Sequence, residues 1–161
     1  MEETETGFHF FCDKLLLMKT KRLPLKEFKY IYSKVPRLCV DLVIKNKEGI
    51  LLSKRDIPPE KGWWHFPGGT VLMGETLKDT VKRVAQEELN TKVKIKKLLG
   101  FLEYSDGGGL GYPISAVFIV TPLSKNLQGG EQAKEINFFK SVPEKTLPEV
   151  KRFLKNNFNI S

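Results

Sequence analysis

Residues 68–90 read Gly-Gly-Thr-Val-Leu-Met-Gly-Glu-Thr-Leu-Lys-Asp-Thr-Val-Lys-Arg-Val-Ala-Gln-Glu-Glu-Leu-Asn, a glycine turn followed by a helical pattern. Thr76 and Asp79 have the spacing of a capping box, in which two side chains three residues apart satisfy backbone groups at the start of a helix. Apolar residues then recur at helical spacing as far as residue 89. The stretch therefore predicts a helix over residues 77–89, with a glycine-rich turn before it.

This helix carries a cluster of carboxylates. On a wheel of 3.6 residues per turn, Glu88 falls inside the apolar stripe and Glu87 at its edge, while Glu75 stands just before the helix. Like charges this close raise one another's pKa unless a cation neutralises them. Arg83, one turn before Glu87, is one candidate cation, and a divalent metal ion is the other.

The glycine turn favours the metal ion. Mg²⁺ is usually held by one or two carboxylates together with water and substrate phosphate oxygens, which suits two adjacent helical glutamates. In the alternative interpretation, Arg83 and Glu87 form an ordinary exposed ion pair worth about 0.3–0.5 kcal/mol, and Glu88 reaches out of the stripe to solvent. The pattern as a whole predicts a metal-assisted phosphate site.

The spacing resembles the Nudix box, whose pattern is Gly, five residues, Glu, seven residues, then Arg-Glu-aliphatic-any-Glu-Glu-any-Gly-aliphatic. The matching positions, without a gap, are Gly69, Glu75, Arg83, Ala85, Glu87 and Glu88. The resemblance covers residues 36–158. It implies an α/β fold, a Nudix-type α/β/α sandwich with a mixed β-sheet, and an Mg²⁺-dependent hydrolase acting on a small nucleoside diphosphate derivative. Mn²⁺ is the alternative metal.

Three positions depart from the box. Asn90 replaces the glycine that ends the helix, and asparagine is the next best residue at a left-handed helix terminus. Thr91 replaces an aliphatic residue, and Val84 replaces the first glutamate, which binds metal or acts as general base in many Nudix enzymes. Loss of a general base costs about 10²–10⁴-fold in rate. Glu131, in a glycine loop before a predicted strand, is the candidate replacement base; a solvated loop glutamate is the alternative.

Three features stand out in residues 36–69: a Pro-any-any-any-any-Asp segment ending at Asp41, a strand end over residues 52–55, and a Pro-any-any-Gly-aromatic-Trp approach over residues 59–64. In these features the stretch most resembles, within the family, GDP-mannose mannosyl hydrolases and their relatives. Those relatives also carry an apolar residue in place of the first box glutamate, so Val84 fits the subgroup. Thr70 stands where that enzyme has an arginine, and residues 112–117 lack the histidine that it carries on a late strand. The resemblance therefore implies a nucleotide sugar, GDP-mannose-like, as the substrate class.

The resemblance also implies roles for individual residues. Glu87, Glu88 and the Gly68 carbonyl would hold the metal, and Arg83 would orient the carboxylates. The predicted catalytic residues are Arg83, Glu87, Glu88 and Glu131. The predicted substrate-binding residues are Arg55, whose planar fork suits phosphate, Gly69 in the turn, and Trp63 and Tyr104, which could stack a nucleobase.

The rest of the chain fits one domain. Its 161 residues, 40% hydrophobic and 29% charged, suffice for a single core. Residues 25–161 are predicted to form the Nudix domain, and residues 1–24 an arm or a dimer contact. Further helices are predicted over residues 25–34 and 144–156, and strands over residues 38–45, 50–54, 92–104, 114–121 and 136–140.

Location and partners follow from composition. No apolar run approaches the about 18 residues that span a bilayer, and the acidic start is unlike a secretory signal, so we expect a cytoplasmic protein, a homodimer, with no membrane partner. Cys12 and Cys39 are expected to be free thiols. The net charge of +8 favours polyanions and supports a rival hypothesis, in which a Nudix-fold module binds RNA and lost turnover with Val84.

Overall fold

The computed structural model describes residues 22–58, 60–105 and 111–160. Within these ranges the chain forms three helices and eight strands. The helices are α1 (Leu25–Tyr32), α2 (Leu77–Leu89) and α3 (Pro148–Phe158). The strands are β1 (Arg37–Val43), β2 (Lys45–Asn46), β3 (Gly49–Lys54), β4 (Trp64–His65), β5 (Gly68–Thr70), β6 (Val93–Glu103), β7 (Pro113–Pro122) and β8 (Glu135–Phe139).

The strands divide into two sheets. The first has the order β5-β1-β7-β6 and is mixed, because β1 runs parallel to β7 while the other pairs are antiparallel. In the second, β3 pairs antiparallel with β8 along residues 50–54, and with β2 and β4 near its two ends. The predicted α/β architecture with a mixed sheet is confirmed.

Two hydrophobic clusters hold the helices against the strands. The apolar side of α2 joins the first cluster through Val81, Val84, Ala85 and Leu89, which pack with β1 residues including Val40 and Leu42. Helix α3 joins the second cluster through Val150, Phe153 and Leu154, which pack with residues including Val43, Leu52 and Phe66. Since neighbouring residues of β1 enter different clusters, the two helices cover opposite faces of the strands.

Helix α2 begins and ends where the sequence predicts. The Asp79 amide donates to Thr76 Oγ1 at 3.1 Å and the Thr76 amide donates to Asp79 Oδ2 at 3.4 Å, so the capping box is present. At the other end, Asn90 adopts the left-handed conformation, with φ 48° and ψ 41°. Both ends of the box helix are therefore set by its own sequence.

The prediction for the last helix was wrong at its start. Residues 145–147 run beside β4: the Trp64 amide donates to the Lys145 carbonyl at 2.7 Å, and the Leu147 amide donates to the Trp64 carbonyl at 3.0 Å. These long-range bonds keep the segment extended until Pro148, which occupies the first turn of α3. The short strands β2, β4 and β5 were not predicted as separate elements, while the other predicted elements begin and end within two residues of those observed.

The N-terminal arm predicted over residues 1–24 lies mostly outside the described residues, as does Cys12. Cys39 is a buried free thiol, as expected, and burial raises its pKa to about 11. None of the helices in the described ranges is long and apolar enough to cross a membrane.

Candidate active site

A cavity of about 870 Å³ is lined by residues of α1, the start of β1, the turn at β5, and Arg83, Glu87 and Glu88 of α2. It brings together most of the predicted site residues, which are distant in sequence. Those that line it are Arg55, Gly68, Gly69, Arg83, Glu87, Glu88 and Tyr104. Trp63 and Glu131 are not among its lining residues.

Glu75, at the start of α2, is fully engaged by protein donors. Arg83 donates to both of its oxygens, from Nε at 2.6 Å and from Nη2 at 2.9 Å, and the Leu72 amide and Thr80 hydroxyl complete the set. The Glu75 side chain is only 6% exposed. A carboxylate with four donors has little capacity left for a ligand, so Glu75 fixes Arg83 rather than offering a metal site.

Arg83 also donates hydrogen bonds to Glu87 and to the glycine turn. Its Nη1 donates to Glu87 Oε2 at 2.9 Å, and its Nη2 donates to the Thr70 carbonyl at 2.8 Å. Arg22 also donates to Glu87 Oε2, at 2.6 Å. The Arg83–Glu87 pair of the alternative interpretation is therefore present, and Arg83 joins the glycine turn to the carboxylates.

Glu88 differs from Glu75 and Glu87 in its hydrogen bonding. It is partly buried beside the cavity and accepts no hydrogen bond from any described residue. Burial first, and Glu87 second, raise the pKa of its carboxyl, against smaller opposing effects of Arg22 and Arg55. A carboxylate held this way without donors is stabilised by a cation.

The donor set at this point fits Mg²⁺. No cluster of three or more acidic, histidine or cysteine side chains arranged for a metal occurs in the described part of the chain. Mg²⁺ does not need one, because it retains several waters and is commonly held by one or two carboxylates with substrate phosphates. Glu88 and Glu87 are the residues that could supply those carboxylates, and the Gly68 carbonyl is the predicted third ligand.

The glycine turn is shaped by its neighbours. Gly68 pairs with Asp41 across β5 and β1, and a Cβ on Gly68 would overlap Asp41 Oδ1. A Cβ on Gly69 would lie 2.9 Å from Val84 Cγ2, which is buried under the turn. The valine at the first box-glutamate position is thus part of the core.

Asp41 was given no functional role by the sequence. It is buried, lines the cavity, and accepts a hydrogen bond of 2.6 Å from the Tyr104 hydroxyl. Burial raises the pKa of Asp41 to about 7, although the Tyr104 hydrogen bond opposes this. The sequence does contain a signal for this role, because Asp41 is an acidic residue within the apolar run of residues 38–44. Burying a carboxylate costs free energy unless a partner or a function compensates for it.

Two further titratable groups line the cavity. Burial lowers the pKa of Arg55, and burial together with the nearby Arg55 lowers the pKa of His65 to about 4. His65 Nδ1 lies 2.6 Å from the Phe66 carbonyl, which places a proton on that nitrogen. Arg55 therefore contributes positive charge at neutral pH and His65 does not.

The two predicted residues outside the cavity have different surroundings. Trp63 packs against the second cluster, and its carbonyl accepts from the Arg55 amide at 2.9 Å. Glu131 is exposed. Its loop nevertheless touches α2, because a Cβ on Gly130 would overlap the Glu87 carbonyl, and the following Gln132 lines the cavity.

Residues 35–158 match the model of the NUDIX domain family. The chain belongs to the Nudix hydrolase family. This Nudix hydrolase is 38% identical over 141 residues to "Low-salt glycan biosynthesis protein Agl8" of Haloferax volcanii, covering 84% of this chain and 90% of that one. It is also 38% identical over 120 residues to an "ADP-ribose pyrophosphatase" of Methanocaldococcus jannaschii, covering 74% and 69%.

Solved structures show the same fold. The MutT NUDIX hydrolase from Burkholderia pseudomallei superposes with a TM-score of 0.69 over 77% of this chain and 98% of that one, at 24% identity. A MutT/nudix family protein from Enterococcus faecalis gives a TM-score of 0.68 at 21% identity, covering 98% and 69%. At these identities the likeness concerns architecture alone.

Proposed function

We propose that this Nudix hydrolase cleaves a nucleoside diphosphate linked to another group, and that its substrate is a nucleotide sugar of the GDP-mannose type. The observation that carries the proposal is Glu88, a partly buried carboxylate beside Glu87 that accepts no hydrogen bond from residues 22–58, 60–105 or 111–160 and lines the same cavity as Arg55. A diphosphate bound with Mg²⁺ matches this combination of acidic and basic groups. One relative is named for ADP-ribose, itself a nucleoside diphosphate derivative, and another for glycan biosynthesis.

Each group in the cavity then has a task. Glu87 and Glu88 would hold Mg²⁺, and the Glu75–Arg83 pair would keep Glu87 in position. Arg55 would bind a phosphate through its guanidinium. Bound Mg²⁺ would neutralise charge on the diphosphate and polarise the bond that breaks.

The proton of the attacking water needs a base, because Val84 is buried and apolar. We assign this task to Glu131, whose loop contacts α2 at Glu87. Asp41 is the second candidate, since its carboxylate already lines the cavity. The variants Glu131→Gln and Asp41→Asn separate the two candidates. The variant that removes the base should have a kcat lower by about 10²–10⁴-fold, and the kcat of the other variant should change little.

The test is a panel of nucleoside diphosphate derivatives assayed with and without Mg²⁺. We expect Mg²⁺-dependent product release that disappears in Glu88→Gln and persists in Glu144→Gln, a matched change at an exposed glutamate outside the cavity. Silence across the panel, combined with salt-sensitive RNA affinity indifferent to Mg²⁺, would overturn the proposal in favour of the RNA-binding module. Solvent-oxygen labelling of the products identifies the attacked atom.

A further inference from the structure

One wall of the cavity is apolar and aromatic. It is built by α1, which contains no buried residue, and by the start of β1. The rings of Phe28 and Tyr32 meet edge to face with centroids 4.7 Å apart. Leu25 and Leu38 also line the wall and are 65% and 45% exposed. An apolar surface of this kind inside a polar cavity indicates contact with an apolar part of a ligand.

Arg37 projects from the same wall. Its guanidinium carbon lies 5.3 Å from the centre of the Phe28 ring, and its Nη1 reaches Thr70 Oγ1 only at 3.5 Å. Within the part of the chain that the structure describes, its buried Nε has no hydrogen-bond partner and no ion pair joins Arg37 to a carboxylate. Among the described residues, the guanidinium is thus positioned by its stacking on Phe28 and one long hydrogen bond to Thr70, without a carboxylate partner.

The chemistry of this wall fits a nucleobase better than a phosphate. A phosphate would lose hydration against Phe28, Tyr32 and Leu38, whereas a flat ring gains by covering them. Arginine donors match two adjacent acceptors, such as O6 and N7 of guanine. Adenine presents an amino donor in place of O6, so the same fork meets a donor there.

We propose that α1 and Arg37 form a base subsite that selects guanine over adenine. The inference rests on the proposed function, because it concerns the nucleoside end of the same substrate. Thr70 contributes by its small size, since it stands beside Arg37 with its Oγ1 3.5 Å from Arg37 Nη1.

Binding of GDP and of ADP in the presence of Mg²⁺, measured by calorimetry, tests the subsite without requiring turnover. The unmodified chain should bind GDP at least about tenfold more tightly than ADP. Arg37→Gln should weaken GDP binding by about 10–100-fold and change ADP binding by less than about threefold. Lys29→Gln removes an equal charge from the exposed side of α1 and should leave both affinities unchanged.

Arg37→Lys keeps the charge and a long aliphatic stem but loses the planar fork. It should retain the melting temperature and still lose the preference for GDP. Equal weakening of GDP and ADP in Arg37→Gln, restored by lysine, would overturn the inference and assign Arg37 to phosphate. The absence of a GDP preference in the unmodified chain would overturn it as well.

The inference and the proposed function fail separately. Hydrolysis of nucleotide sugars without base preference contradicts only the base subsite. A GDP preference that depends on Arg37 in a chain that hydrolyses none of the panel supports the subsite and contradicts the proposed function. Failure to bind either nucleotide contradicts both.

Discussion

The two ends of α2 place the same residue type in opposite circumstances. At the start, Glu75 accepts four hydrogen bonds, and although burial raises its pKa, the donors outweigh burial and lower the pKa below its ordinary value. At the end, Glu88 accepts none from the described residues, and burial raises its pKa. The carboxylate just before the helix is therefore satisfied by protein donors, whereas the one in its last turn is not satisfied by the described residues and, under the proposed function, is left to the metal ion.

The largest expected effect is on catalysis and concerns Glu88, at the C-terminal end of α2. Glu88→Gln should lower kcat/KM by at least about 100-fold, because a neutral amide is a weak Mg²⁺ ligand and several kcal/mol of charge stabilisation are lost. Without metal, its unfolding free energy at pH 7 should equal or exceed that of the unmodified chain, since a buried charge is removed. Kinetics over a range of Mg²⁺ concentrations and urea unfolding check both statements. A loss of stability parallel to the loss of activity would contradict them.

At the start of the helix, a substitution of Glu75 is expected to affect stability first. Glu75→Gln should lower the unfolding free energy by about 3 kcal/mol, because Arg83 is left partly buried with one charged partner fewer. Urea unfolding measures the change, with Glu144→Gln as the control, expected within about 0.5 kcal/mol. Lost activity at unchanged stability would mean that Glu75 is a ligand and would remove the contrast.

The pH dependence sharpens the contrast. The pKa of Glu75 is lowered from its ordinary value of 4.5 in the folded chain. As the pH falls below 4.5, Glu75 therefore takes up a proton more readily in the unfolded chain than in the folded chain. Its stabilising contribution is therefore fully present above pH 4.5 and is lost as the pH falls through its lowered pKa. The stability difference between Glu75→Gln and the unmodified chain should shrink in this acidic range. A difference independent of pH would contradict the assignment.

A smaller effect is expected from the helix cap. Thr76→Ala should lower the unfolding free energy by about 1 kcal/mol, because the Asp79 amide loses its acceptor. Thr76→Ser keeps the hydroxyl and should recover most of that loss. Guanidinium unfolding of the three proteins decides; equal losses in both variants would show that the methyl group, rather than the hydroxyl, matters.

The smallest effect is expected at Asn90. Asn90→Gly should change stability by less than about 1 kcal/mol, because glycine adopts the left-handed conformation freely while the contacts of the Asn90 side chain with Gln86 and Gln128 are lost. Asn90→Val should cost about 1–2 kcal/mol, since a branched side chain opposes a φ of 48°. Equal costs for both variants, measured by thermal unfolding, would assign the effect to the side-chain contacts instead.

Local sequence signals explain how much of the fold could be predicted. The bounds of α2 follow from a capping box, an apolar stripe and an asparagine, all within residues 76–90, and the longer strands follow from apolar alternation. The start of α3 could not be predicted this way, because β4 holds residues 145–147 by hydrogen bonds across about 80 positions of the chain.

The sequence by itself determined the family and the carboxylate pair at the end of the box helix, since both depend on spacing along one segment. Only the tertiary structure decided which partners the polar side chains have. It placed the donors that bond to Glu75, the Tyr104 hydroxyl that donates to Asp41, and Phe28 against Arg37. The physical reason is that the charge state and purpose of a polar side chain depend on its burial and its donors, which distant segments supply.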